Sequence, residues 1–168
     1  MTTHAHAPRT VRCAVVVVSD RCARGEAVDR SGPVARELLE SAGHRVGDVV
    51  VVPDGEASVA GALARVLADG VQVVLTSGGT GISPRDLTPE GTRPFLDREL
   101  PGVAEALRRR GADDVATAVL SRGLAGVTAD GVLVVNLPGS PDGVRSGVEV
   151  LLPLLAHVVH QVSGGDHR

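Results

Sequence analysis

Apolar and polar positions along this chain fall into two alternating patterns. Val11 to Ser19 contains the uninterrupted run Val15-Val16-Val17-Val18. A β-branched stretch with no polar alternation predicts a strand covered on both faces, as in a parallel sheet flanked by helices. Ser31-Gly32-Pro33 then opens a helix, with Val34, Leu38, Leu39 and Ala42 at helical spacing and Gly43 placed to end it. A second strand is predicted over Val46 to Val52, closed by Pro53-Asp54. Val59, Leu63, Val66 and Leu67 mark the next helix, which stops at Asp69-Gly70, and a third strand from Val71 to Thr76 runs into Ser77-Gly78-Gly79-Thr80-Gly81.

Strand, helix, strand, helix, strand in this order predicts an α/β fold with a mostly parallel, doubly wound sheet. Further on, Thr88 reads as an N-cap with Pro89 at the first helical position, and Val103 to Arg110 reads as a helix ended by Gly111. Leu124 to Thr128 and Val132 to Leu137 flank Ala129-Asp130-Gly131, a hairpin signal that adds an antiparallel strand. Ser140-Pro141 caps a final helix with the stripe Val144, Val148, Leu151, Leu155, Val158 and Val162, and Pro153 inside it predicts a kink. Residues 1–9 carry no periodic pattern and are expected to be a disordered tail ahead of one domain over residues 10–165.

In an open parallel sheet, ligands bind beyond the carboxyl ends of the strands. Those ends here deliver Ser19-Asp20, Pro53-Asp54, the glycine-rich Ser77–Gly81 followed by Arg85-Asp86, and Asn136-Leu137-Pro138-Gly139-Ser140. Ser77 to Gly81 offers successive backbone N–H groups with little side-chain bulk, which suits either an anion cradle or a plain tight turn. Arg85 adds a fixed positive charge, Asp86 a hard oxygen ligand, and Thr88-Pro89-Glu90 a second helix start. Asp20, Asp54 and Asp86 are each explicable singly as turn or cap residues. Together they end consecutive elements on one face, and carboxylates beside a phosphate cradle repel an anion unless a divalent cation intervenes, so the set implies Mg²⁺ with a nucleotide. Ser140 is either an N-cap or a ligand contact, and Ser121-Arg122 either a polar loop or part of the site. His157 and His160 are explained by the dipole of the last helix as readily as by a metal.

Composition narrows the function. The 168 residues include 43% hydrophobic and 22% charged residues, enough for a fold burying roughly 70% of the unfolded surface without a structural metal. All 17 basic residues are Arg, so a GxxxxGK[ST] phosphate loop is excluded. Phe95 is the one aromatic residue and the net charge is −3, which leaves neither a stacking platform nor a basic footprint for nucleic acid. Cys13 and Cys22 form no CxxC pair and no secretory leader is evident, which predicts free thiols in the cytoplasm. No apolar run approaches the ~20 residues of a membrane span, so no membrane role is expected. The Gly79 to Pro84 segment begins as GxGxxG but ends in Pro, and no Ser sits in a GxSxG elbow, which removes the dinucleotide and α/β-hydrolase fingerprints.

The strings VVVVSD, DRSGP, VVPD, TSGGTGISPRDLTPE, VLSR and NLPGSPDGV, in that order over nearly the whole chain after the tail, resemble the MogA/MoaB family of molybdenum cofactor biosynthesis proteins. The resemblance implies a three-layer α/β/α fold and a trimer, or a hexamer in the MoaB branch. It implies Mg²⁺- and ATP-dependent transfer of AMP to the terminal phosphate of molybdopterin with release of pyrophosphate, and hand-over of the product to a molybdenum-insertion enzyme. By this resemblance Asp54 and Asp86 are the essential acids, either of them holding Mg²⁺. Gly78, Gly79, Thr80 and Gly81 hold phosphate, Ser77 stands where the family commonly has Thr, and Arg85 and Glu90 belong to the same motif. Asp20, Ser121, Gly139 and Ser140 line the nucleotide or pterin sites. Two alternatives remain: a non-catalytic pterin-binding protein of the same pathway, and a nucleotide pyrophosphatase like the domain of competence-damage proteins, whose loop reads GGLGPT without the RDLTPE continuation.

Overall fold

The computed structural model describes residues 10–165. The expected tail over residues 1–9 lies outside the described residues. In chain order the elements are β1 (Arg12–Val18), the single-turn α1 (Asp20–Ala23), α2 (Ser31–Ser41), β2 (Arg45–Val46), β3 (Val50–Val52), α3 (Glu56–Ala68), β4 (Val73–Ser77), α4 (Thr88–Thr92), β5 (Arg98–Glu99), α5 (Pro101–Asp114), β6 (Ala125–Val127), β7 (Leu133–Leu137) and α6 (Pro141–Val162). Short 3₁₀ turns occupy Arg93–Phe95 and Ala116–Leu120.

The strands form one mixed sheet in the order β2-β1-β4-β7-β6-β5, with β3 pairing the same edge of β1 as β2. β1, β2, β3, β4 and β7 are parallel, while β6 runs antiparallel to β7 and β5 antiparallel to β6. The period of two along β1 divides the molecule into layers. Cys13, Val15 and Val17 pack with α2, α5 and α6 around Leu39, Val148, Leu151 and Leu155, whereas Ala14, Val16 and Val18 pack with α3 around Val59 and Leu63. Each of those fully buried Val and Leu side chains contributes roughly 1.5–3 kcal/mol of burial free energy, which is why both faces of the strand are apolar. The expected three-layer α/β/α architecture is therefore observed, with the antiparallel edge.

Several local expectations need correction. The single strand predicted over Val46 to Val52 is two short strands. Cys13 pairs with Val46 and Val16 with Val50, so Gly47-Asp48-Val49 oppose only Ala14-Val15 and the extra residue interrupts the ladder. Thr88 is the first residue of α4 and not its cap; Leu87 occupies the N-cap, and the fully buried Thr88 hydroxyl instead donates to Gly78 O at 2.9 Å. Gly111 does not end α5, which continues to Asp114. A methyl group at Gly111 would come within 2.9 Å of Ala118 Cβ, so the glycine admits the 3₁₀ turn that packs on the helix. In α6 the buried stripe includes Val159, Val158 and Val162 are only partly buried, and the helix runs on past Pro153 for nine residues to Val162. β5, two charged residues long, has no apolar signature.

Cys13 and Cys22 are both free, and burial pushes the Cys13 thiol up to about 12. Among the described residues, no helix is long and apolar enough to cross a membrane.

Candidate functional site

The chain leaves β1 toward β2 and β3 on one side through α2, and reaches β4 on the other side through α3, with the two helices on opposite faces. The carboxyl ends of β1 and β4 are thus a topological switch point, where adjoining crossovers diverge and leave a crevice. Ser19-Asp20 leaves one of these strands and Gly78-Gly79 the other.

The loop after β4 is held in a shape only glycine adopts easily. Gly78 and Gly79 have φ of +102° and +65°, and a Cβ at Gly78 would lie 2.2 Å from Val18 O. Gly78 N–H donates to Leu137 O at 3.0 Å, Thr88 N–H to Gly79 O at 3.1 Å, and the Ser77 hydroxyl to Pro138 O at 2.9 Å. A Cβ at Gly139 would lie 3.3 Å from Gly78 Cα, so the loops after β4 and β7 touch backbone to backbone. Ser140 caps α6, its hydroxyl oxygen accepting from Gly143 N–H at 3.1 Å. Beneath them, buried Asn136 donates to the Thr76 hydroxyl at 2.9 Å and the Thr92 hydroxyl at 3.0 Å, and accepts from Leu124 N–H at 3.0 Å.

Two cavities open on either side of this loop. The smaller, about 440 Å³, is lined by Asp54, Asp86, Ser77, Gly78, Gly79 and Gly139 together with Thr80 and Gly81. The larger, about 510 Å³, takes Ser121 and Ser140 along with apolar residues of α5 and the following 3₁₀ turn, and shares Thr80 and Gly81 as its wall. Asp54 and Asp86 therefore face one cleft with the glycine loop, while Ser121 and Ser140 face the other.

Asp20, Arg85 and Glu90 line neither cavity. Asp20 and Asp54 exchange reciprocal bonds, Asp20 N–H donating to Asp54 Oδ2 at 2.8 Å and Asp54 N–H to Asp20 Oδ1 at 3.1 Å. Arg85 grips Asp20 through both oxygens, at 2.6 and 2.9 Å, and also donates to Asp54 O at 3.0 Å. Its guanidinium holds the Asp20 carboxyl below the usual carboxylate range, and Asp20 in turn raises Arg85. Glu90 is paired with Arg122, which likewise lowers it.

The donor set of the smaller cleft suits a hard divalent cation. Among the described residues Asp54 Oδ1 and Asp86 Oδ1 have no hydrogen-bond partner, while the Oδ2 atoms accept from Asp20 N–H and from Ser83 N–H at 3.0 Å. No three His, Cys, Asp or Glu side chains among the described residues form a closed cage. Mg²⁺ is ordinarily held by one or two carboxylates plus substrate phosphates and water, and two acids with free oxygens lining one cleft are a donor set of that kind.

Residues that the sequence marked only as a strand end, a free thiol, a helix start or a family string, without a site role, also border the smaller cleft: Ser19, Cys22, Asp29, Arg30 and Ser31. The Asp29 carboxylate accepts from Ser31 N–H at 3.0 Å and Gly32 N–H at 3.1 Å at the start of α2. Asp-x-Ser-Gly ahead of a helix was the available signal for this.

Comparison with known proteins shows the family and the fold. Residues 14–157 match the family described as "Probable molybdopterin binding domain". The chain is 38% identical over 157 residues to a protein of Pyrococcus furiosus named "Molybdopterin adenylyltransferase", covering 91% of this chain and 92% of that one. It is 40% identical over 156 residues to a "Molybdenum cofactor biosynthesis bifunctional protein" of Chlorobaculum tepidum, covering 93% of this chain but 50% of that protein, so it spans about half the length of that relative. A crystal structure described as a molybdopterin biosynthesis protein from Mycobacterium abscessus superimposes with a TM-score of 0.86 at 46% identity, over 92% of this chain and 97% of that one.

Proposed function

The chain belongs to the molybdopterin-binding domain family of molybdenum cofactor biosynthesis proteins, and from that premise we propose that it is a molybdopterin adenylyltransferase. In this reading the terminal phosphate oxygen of molybdopterin attacks the α-phosphorus of ATP. The bond from that phosphorus to the oxygen bridging toward the β-phosphate breaks, and pyrophosphate leaves. The observation that carries the proposal is the shared wall: Thr80 and Gly81 line both cavities, so two ligands seated side by side meet at backbone amides, next to Asp54 and Asp86. A relative named for this activity along nearly its whole length supports the same reading.

The reaction asks for alignment and charge stabilisation more than for covalent chemistry from the protein. Gly78 and Gly79 remove side-chain bulk where phosphates approach. Arg85, more than half exposed and tethered to Asp20, stands beside the cleft as a cation that can follow a phosphate. Asp54 and Asp86 would hold Mg²⁺, which when bound supplies neutralisation of the charge developing on the phosphates. Assembly into a trimer or hexamer, and delivery of the adenylylated pterin to a molybdenum-insertion enzyme, belong to the same proposal.

The test is pyrophosphate release from ATP, Mg²⁺ and molybdopterin by the intact protein and by Asp86→Asn. The variant keeps the shape of the side chain and is expected to fold and bind pterin while turnover drops roughly 10³-fold. Near-normal turnover by Asp86→Asn overturns its assigned role. Pterin binding by the intact protein without pyrophosphate release replaces the enzyme with a non-catalytic binding protein, and hydrolysis of a nucleotide sugar without pterin replaces it with a pyrophosphatase.

A further inference from the structure

We infer that Arg122 is a positioning residue that fixes the wall between the two cavities and, through it, the place of Asp86. It lines neither cavity, so its role is indirect. The backbone N–H of Arg122 donates to Thr80 O at 2.8 Å. Its Nε–H donates to Gly81 O at 2.8 Å, Nη2 to Asp86 O, and Nη1 and Nη2 together to both oxygens of Glu90. One residue thus holds three carbonyls of the segment from Thr80 to Asp86, together with the Glu90 carboxylate in the first turn of α4.

The segment needs such a clamp. Ile82, Ser83, Pro84 and Arg85 are all exposed, and the bonds within the turn link Ser83 only to Asp86. A loop with few buried contacts opens locally at low cost. Arg85 ties it to Asp20 and Asp54, and Arg122 ties both of its ends, at Gly81 and at Asp86. Gly81 and Asp86 are the two residues whose separation matters, because the Asp86 carboxylate sits over Gly81, 2.8 Å from where a Cβ would be. A guanidinium suits the task as an ammonium does not: its planar fork can address two carbonyls and a carboxylate at once. Glu90 then orients Arg122 instead of touching substrate.

This inference rests on the adenylylation reading only for its kinetic consequence, and the test separates the two. Hydrogen exchange of the intact protein, Arg122→Ala and Arg122→Lys is followed for the peptide covering residues 78–90, alongside pyrophosphate release. Arg122→Ala is expected to speed exchange across residues 81–86 at least tenfold while the strands of the sheet exchange as before. Its kcat is expected to fall about 10²-fold, the cost of displacing a reacting group by about 1 Å, with KM for ATP changed by less than about threefold. Arg122→Lys is expected to lie nearer to Arg122→Ala than to the parent, and Glu90→Gln between them. Unchanged exchange in the loop, or a loss expressed wholly in KM, overturns the clamp, as does an Arg122→Lys variant equal to the parent. If Arg122→Ala fails to fold, the Arg122→Lys and Glu90→Gln comparisons decide by the same criteria. Faster loop exchange in a protein whose parent releases no pyrophosphate leaves the clamp standing and removes the adenylylation reading.

Discussion

Replacing Gly81 by Ala places a methyl carbon 2.8 Å from Asp86 Oδ2 and 3.5 Å from its Cγ. Ordinary contact begins near 3.4 Å, so the carboxylate must retreat by roughly 0.6 Å. Gly81 is not among the positive-φ glycines, and Ala fits its backbone without strain. The substitution stiffens the unfolded chain, which stabilises by about 0.4–1 kcal/mol. Weakening the bond from Ser83 N–H to Asp86 costs about 0.5–1.5 kcal/mol. The net change in stability is therefore within about 1 kcal/mol, a shift of at most roughly 4 °C in Tm for a chain of this size. Activity responds differently, since a 1 Å misplacement of a reacting group costs about 10²-fold. Gly81→Ala is expected to lower kcat for pyrophosphate release at least about tenfold with Tm almost unmoved. Gly79→Ala serves as the contrast. At φ +65°, with a Cβ 2.3 Å from Thr88 Oγ1, it is expected to lose stability and activity together. Parent-like turnover by Gly81→Ala would refute the placement of Asp86 as the reason this position is glycine.

Two other perturbations follow from the same structure. Asn136→Ala strands the Leu124 amide and removes the donor to the Thr76 hydroxyl, while the Thr92 hydroxyl keeps its bond to Thr88 O; with two groups left short at the lower part of the 1–3 kcal/mol range it is expected to cost about 3 kcal/mol, read as a Tm lower by roughly 6–12 °C. His44 Nδ1 accepts from Val11 N–H at 3.3 Å and burial lowers its pKa from the ordinary 6.5, so the neutral ring is the one that fits the folded state. Its contribution is complete above 6.5 and is lost as pH falls through the lower folded value; denaturation midpoints measured from pH 7.5 downward are expected to decline below 6.5, and less steeply in His44→Gln.

Much of the scaffold was legible because burial imposes the pattern. The Val15–Val18 run is apolar on both faces because α2, α5 and α6 cover one and α3 the other, and Ser140 announced α6 because its hydroxyl does cap that helix. The errors share a cause. Gly47-Asp48-Val49 breaks a strand through its register against β1, Gly111 is small for the sake of Ala118, and Thr88 serves Gly78 ten residues earlier. Each is a choice made by a distant partner, which local spacing does not record. The site divides the same way. Asp54 and Asp86 could be read as one group from strand ends alone, but the separation of Ser121 and Ser140 into a second cavity depends on α5 and the turn after it closing over the β7 loop.

The two chambers meet at Thr80 and Gly81, which line both. A molecule long enough to fill both chambers at once has its second half delivered at an effective concentration set by a covalent link, so its affinity exceeds that of either half alone by far more than any added contact explains. A joined product would cling where its precursors exchange freely. Letting go would then set the pace of each cycle, and an acceptor able to draw the product out would quicken it.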